Sequence, residues 1–224
     1  ISDSKFDKKQ EINLFPVRAF KTFLKPEVIL ISICGLLVFS ADRFYFFGSG
    51  PFMKELGFQD ANILPSLSIG QLSEIFAMLT LGWFLVKYKL KNMLIIGASI
   101  NLIRYLIFSM AGSQLQLLSG VALHGMAYTF FYSVAYIYLD KHTNRDERAG
   151  VHQIYRILTA GLGNVIGNYS TGKAADLLNV LKRSPENYKW FWLIPALLVG
   201  IAIISLMFLK IAERDQPASA SNSP

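Results

Sequence analysis

Cys34 is the only cysteine, which excludes an intramolecular disulfide, and just three histidines accompany it. These few residues show no metal-ligand spacing. No Ser-His-Asp order can be argued and nothing resembles a phosphate-binding loop, so an embedded enzyme is a poor reading. Charge is scarce too: 17% of the 224 residues are Asp, Glu, Lys or Arg, against 53% hydrophobic. With a mean hydropathy of +0.38, the chain is too apolar for an ordinary soluble domain of this length. Cys34 itself lies inside an apolar run and is read as a packing residue.

What the chain has instead is apolar runs close to bilayer-spanning length. Six transmembrane helices are expected, over Val28–Gly50, Asn62–Val86, Met93–Ala111, Leu115–Leu139, Val151–Lys173 and Trp190–Leu209. Residues 1–26 form a basic lead-in, 27–210 the bundle and 211–224 a polar tail, expected to be disordered. The first span starts too deep in the chain to be a signal peptide. A start at Ile1 rather than Met is read as a piece of a longer protein. In the lead-in, Val17, Phe20 and Leu24 share one helical face, which suits either a short helix on the membrane surface or an unstructured linker.

The net charge of +7 raises the question of nucleic acid, but its distribution answers otherwise. Lys and Arg crowd the lead-in, the 87–91 loop, the 141–148 loop and the segment after the last span, whereas the alternate loops hold only Lys54, Lys182, Arg183 and Lys189. That is the positive-inside pattern, and it places both termini in the cytoplasm. The partner it implies is a lipid bilayer, and no nucleic-acid role is expected.

Glu74 is the costliest residue in these spans. It stands about 18 Å in from the outer end of its helix, near the bilayer midplane. A carboxylate there must face protein or water and is read as functional by default; the alternative is a glutamate paired with an arginine to hold helices together. Gln71, three residues earlier, shares its face. In the first span Asp42 and Arg43 stand side by side, about 100° apart around a helix, and need not pair with each other. Arg43 could reach Glu74 or an acidic residue of a missing partner domain, and Tyr45 shares the Asp42 face; the competing reading is a salt bridge within a belt of interfacial aromatics. Gly48, Gly50 and Pro51 are expected to loosen or break this helix near its outer end.

Tyr128, Phe131, Tyr132 and Tyr136 follow three-and-four spacing and are expected to form one stripe beside Thr129. Such a stripe serves packing, or a ring-bearing ligand through stacking and hydrogen bonds. His124 is read as a packed, hydrogen-bonded histidine rather than a proton carrier, and Arg104 as the partner of an acidic residue or a residue of the cytoplasmic half. The fifth span carries His152, Gln153, Arg156, Asn164 and Asn168 and should line a cavity. Its Gly163 and Gly167 have the small-residue spacing of close helix approach.

Several of these stretches together resemble one family. LPSLSIGQLSEIF (64–76) resembles the eighth transmembrane segment of the nucleoside:proton symporters of the major facilitator superfamily. Arg104-Tyr105 resembles the ninth, LHGMAYTFFYSVAYIYLDK (123–141) the tenth, and FGSGPF (47–52) the end of the seventh. The resemblance implies an all-α membrane protein, the C-terminal six-helix half of a twelve-helix transporter built as a three-plus-three inverted repeat. It implies proton-coupled nucleoside uptake across a bacterial cytoplasmic membrane, with an N-terminal six-helix half as partner and a proton gradient in place of any cofactor. By the same resemblance, Gln71, Glu74, Tyr128, Phe131 and Tyr132 contact the nucleoside, with Thr129 and Tyr45 beside them. Asp42, Arg43, Glu74, Arg104, His152 and Arg156 are the candidates for proton coupling or buried charge. The family has an aspartate where this chain has Thr129, and the expectation is that Asp42 has taken over the acidic task; the alternative is a changed substrate preference or loss of proton coupling. The 87–91 loop also lacks the superfamily's usual glycine. A sugar or polyol permease, or a membrane sensor that binds without transporting, are the competing functions.

Overall fold

Residues 17–180 and 185–209 are described by the computed structural model, and every element among them is helical. The expected tail at 211–224, the first sixteen residues, and Lys182 and Arg183 lie outside the described residues. The helices are α1 (Val17–Phe23), α2 (Pro26–Glu55), α3 (Asp60–Lys87), α4 (Leu90–Met110), α5 (Gln114–Tyr128), α6 (Val134–His142), α7 (Arg148–Arg156), α8 (Gly163–Leu177) and α9 (Pro185–Met207). A π turn at Thr129–Ser133 joins α5 to α6, and another at Ile157–Leu162 joins α7 to α8, so each pair forms one long helix.

Among the described residues, five helices are long and apolar enough to cross a membrane: Pro26–Glu55, Asp60–Lys87, Leu90–Met110, Gln114–His142 and Glu186–Met207. The remaining expected span, 151–173, does fold as the continuous α7–α8 helix, but its polar residues keep it out of that group. The expected break at Gly48–Pro51 is absent: α2 runs on to Glu55 with Pro51 inside it. Packing overrides the sequence signal there. A Cβ on Gly48 would stand 2.5 Å from the Phe191 ring of α9, so the glycine serves close contact. The Ser49 hydroxyl donates to the Tyr45 carbonyl at 2.6 Å, supporting the backbone next to the proline. The helix ends instead at Gly57, whose φ of +82° closes a turn in which the Phe58 and Gly57 amides donate to the Met53 and Lys54 carbonyls.

Helices α2, α4 and α9 pack together as the centre of the bundle, α5 joins α4 to α3, and α8 lies along α2. The core is aromatic, with Trp192, Phe191, Phe108, Phe44 and Tyr105 fully buried. Close approach depends on small residues, as expected for membrane helices. A Cβ on Gly167 would lie 2.8 Å from the Ser40 backbone of α2, and one on Gly163 3.1 Å from Phe39. Helix α3 buries only Gly70 and Ala77 and is otherwise open along its length.

One end of the bundle is tied by basic side chains. Lys91, at the start of α4, donates to the Met207 and Leu209 carbonyls at the end of α9, each at 2.7 Å. It thereby fills acceptors that the helix leaves empty and sets a positive charge on the negative end of its dipole. Replacing Lys91 with Met should lower stability by about 1–2 kcal/mol while Arg retains most of it, as read by thermal unfolding of the purified protein in detergent. At the same end α1 docks against α7 through Ala19, Thr22 and Phe23. There Thr22 donates to the Glu147 carboxylate at 2.5 Å, and Lys25 to the His142 carbonyl at 3.3 Å. Phe20 and Leu24 remain exposed on the other face.

Candidate functional site

The midsection of the bundle holds a buried ionic network that adjacent sequence does not announce. Asp42 of α2 pairs with Arg104 of α4 at 2.7 Å, not with its neighbour Arg43. The same carboxylate oxygen accepts the Tyr105 hydroxyl at 3.0 Å, and the other accepts the Tyr132 hydroxyl at 2.5 Å. Arg104 is fully buried and Asp42 nearly so. The guanidinium also lies over the rings of Tyr45 and Tyr105, 4.7 and 4.6 Å from their centroids. Through Nη1 it donates to Nδ1 of His124 on α5. Four helical segments are thus held at one point.

Arg43 faces elsewhere. Its stem packs where a Gly167 Cβ would be, its guanidinium lies 4.5 Å from the Phe46 ring, and it makes no ion pair among the described residues. The reach toward Glu74 considered from sequence does not occur within this chain.

Glu74 and Gln71 stand on α3 beside α5. The two helices touch backbone to backbone: a Cβ on Gly125 would fall 2.1 Å from the Glu74 amide nitrogen and 2.2 Å from the Gly70 carbonyl oxygen. That contact sets the α3 face one turn from α5 without room for side chains between. The Glu74 side chain is half-buried, and its carboxylate has neither hydrogen bond nor ion pair among the described residues. Gln71 is exposed. Tyr128 of α5 is 38% exposed and lies within electrostatic reach of both Glu74 and Asp42. Its ring sits 4.9 Å from that of Tyr132. The structure therefore gathers Glu74, Tyr128, Tyr132, His124 and Tyr45 at one place, and it joins them to Asp42 and Arg104.

The single aromatic stripe divides. The Thr129–Ser133 π turn adds backbone to the helix and shifts the phase that three-and-four spacing assumes. Tyr128 and Tyr132 stay adjacent, but Phe131 is buried at 1% exposure. Tyr136 turns toward α7, with its ring 5.2 Å from His152 and 5.3 Å from Tyr155. Thr129 is fully buried and its hydroxyl has no hydrogen-bond partner among the described residues.

His152 and Arg156 form a second, separate group on α7. The His152 Nε2 lies 3.1 Å from the Asp140 carboxylate, which Arg148 also approaches at 3.9 Å. Arg156 is exposed on the same open face, over a cavity shared with Gln153 and Gly161. His124 is hydrogen-bonded and packed, as read from the sequence, but its place in the ionic network beside Tyr128 was not foreseen. Its spacing from Tyr128, one helical turn, was the available signal.

A family model described as nucleoside H+ symporter matches residues 3–215. The putative nucleoside transporter YegT of Escherichia coli is 28% identical over 198 residues, a stretch covering 84% of this chain and 46% of that protein. The nucleoside permease NupG of Escherichia coli is 27% identical over 141 residues, covering 61% of this chain and 32% of its own length. A crystal structure of the nucleoside transporter NupG superposes with a TM-score of 0.73 at 22% identity, covering 88% of this chain and 51% of that one. The chain thus spans about half, or less, of the length of these relatives.

Proposed function

From the premise that this chain belongs to the nucleoside H+ symporter family, we propose that it forms the C-terminal six-helix half of a twelve-helix transporter that takes up nucleosides with protons. Its apolar helices together with that membership make it a multi-pass membrane protein. In the proposed arrangement α7–α8 supplies the remaining span, the fifth in chain order. Its polar face is tolerable at membrane depth because it lines a cavity shared with an N-terminal half. The basic ends of the bundle face the cytoplasm of a bacterial cell.

The observation that carries this reading is Glu74: a carboxylate inside an apolar helix, half-buried and free of any partner among the described residues. A charge left so is available to a ligand hydroxyl and to a proton. Gln71 beside it supplies an amide donor and acceptor, and Tyr128, backed by the buried Tyr132, supplies ring surface for a nucleobase. Phe131 backs the Tyr132 ring, and Thr129 is sealed by packing as well, so neither touches substrate. Tyr45 forms the floor under His124. Asp42 takes a different part from the one expected of it. Removing its charge would leave Arg104 buried without a counter-charge, at a cost of about 3–5 kcal/mol. We therefore assign the travelling proton to Glu74 and the anchoring of Arg104 to Asp42. Arg43, His152 and Arg156 are assigned to the wall facing the other half.

Uptake by the full-length protein in proteoliposomes under an imposed inward proton gradient tests this. Uridine or adenosine should compete for uptake and a hexose series should not. Competition by hexoses alone would replace the substrate class, and binding without uptake would favour a sensor.

A further inference from the structure

Arginine carries only donors, so the nitrogen of His124 that meets the Arg104 guanidinium must accept. His124 is therefore neutral, with its proton on Nε2, as long as Arg104 stays in place. Arg104 is held there by Asp42 and by the two flanking tyrosine rings, so the tautomer is built into the fold. The ring's plane is fixed as well. Tyr45 stacks on it at 4.6 Å with 23° between planes, and Phe46 stands edge-on at 6.0 Å. Its Cδ2 edge faces α3, 3.3 Å from where a Gly70 side chain would begin. Nε2 adjoins Cδ2 on the ring, and Gly70 is next in sequence to Gln71 and one turn from Glu74, so the imidazole stands beside the face that carries both. Among the described residues Nε2 has no hydrogen-bond partner, and the His124 side chain is partly exposed.

The geometry points to His124 as a substrate-positioning donor: its Nε2–H meets a carbonyl of the nucleobase, and the Asp42–Arg104 pair keeps that hydrogen in place. This rests on the nucleoside reading and sharpens it to bases that present an oxo group. A donor of fixed sign matches the 6-oxo group of inosine or a pyrimidine carbonyl, whereas the 6-amino group of adenosine confronts it with hydrogens. Glutamine can set an amide N–H at the position of Nε2; leucine keeps the bulk and loses the donor.

The test is uptake of inosine, uridine and adenosine by the full-length protein and its His124→Leu and His124→Gln variants, normalised to folded protein in the membrane. Wild type should favour inosine and uridine over adenosine. His124→Leu should raise the KM for the two oxo-nucleosides roughly tenfold to a hundredfold and leave adenosine nearly unchanged. His124→Gln should recover much of the preference. Equal losses for all three substrates, or a glutamine variant as poor as the leucine one, would show a packing role only and overturn the inference while leaving nucleoside transport standing. Wild type that takes up none of the three would overturn the nucleoside reading and this inference together.

Discussion

Glu74→Gln should abolish proton-driven accumulation of nucleoside while the protein folds and still exchanges substrate across the membrane. The amide keeps the size and can still hydrogen-bond, so the helix contact at Gly125 and Gly70 is untouched. What is lost is the ability to carry a proton and the stronger hydrogen bond of a charged acceptor, worth about 1.5–3 kcal/mol in binding. Affinity should fall roughly tenfold to a hundredfold on that basis. Accumulation driven by a pH gradient should vanish, whereas counterflow from preloaded vesicles should persist at raised substrate. Accumulation and affinity both at wild-type level would show that the coupling carboxylate lies elsewhere.

Asp42→Asn should be the most damaging single change to the fold. Arg104 would then sit fully buried with no counter-charge, and Tyr105 and Tyr132 would lose a charged acceptor. Breaking one side of such a pair costs about 3–5 kcal/mol, whereas replacing both sides with apolar groups is often neutral. The double variant Asp42→Asn with Arg104→Leu should therefore regain much of the thermal stability that the single one loses. A single variant as stable as wild type, or a double variant no better than the single, would contradict the anchoring role. If the double variant folds yet retains proton-driven uptake, Asp42 is excluded as the coupling acid and Glu74 remains.

Much of the architecture was legible because bilayer spans are a one-dimensional property. Length and apolarity of a run suffice to place a helix, and five of the expected spans coincide with helices apolar enough to cross. The small-residue spacing of Gly163 and Gly167 was likewise readable, because helical periodicity alone puts both on one face. Signals that depend on neighbours failed. Pro51 did not end α2, since contact with Phe191 and the Ser49 bridge outweigh a local preference. The aromatic stripe of α5 divided because a π turn changes the residue count per turn, which three-and-four spacing cannot anticipate.

The sequence by itself determined that Glu74 and Gln71 share a helical face within an apolar run, since both facts are local. Only the tertiary structure decided that Asp42 belongs to Arg104, far along the chain, rather than to the arginine beside it. Adjacent residues on a helix point about 100° apart, so a buried charge finds its partner across the helix interface and not along the backbone. The same packing leaves Glu74 unpaired among the described residues, sets the His124 tautomer through Arg104, and so separates the anchored carboxylate from the available one.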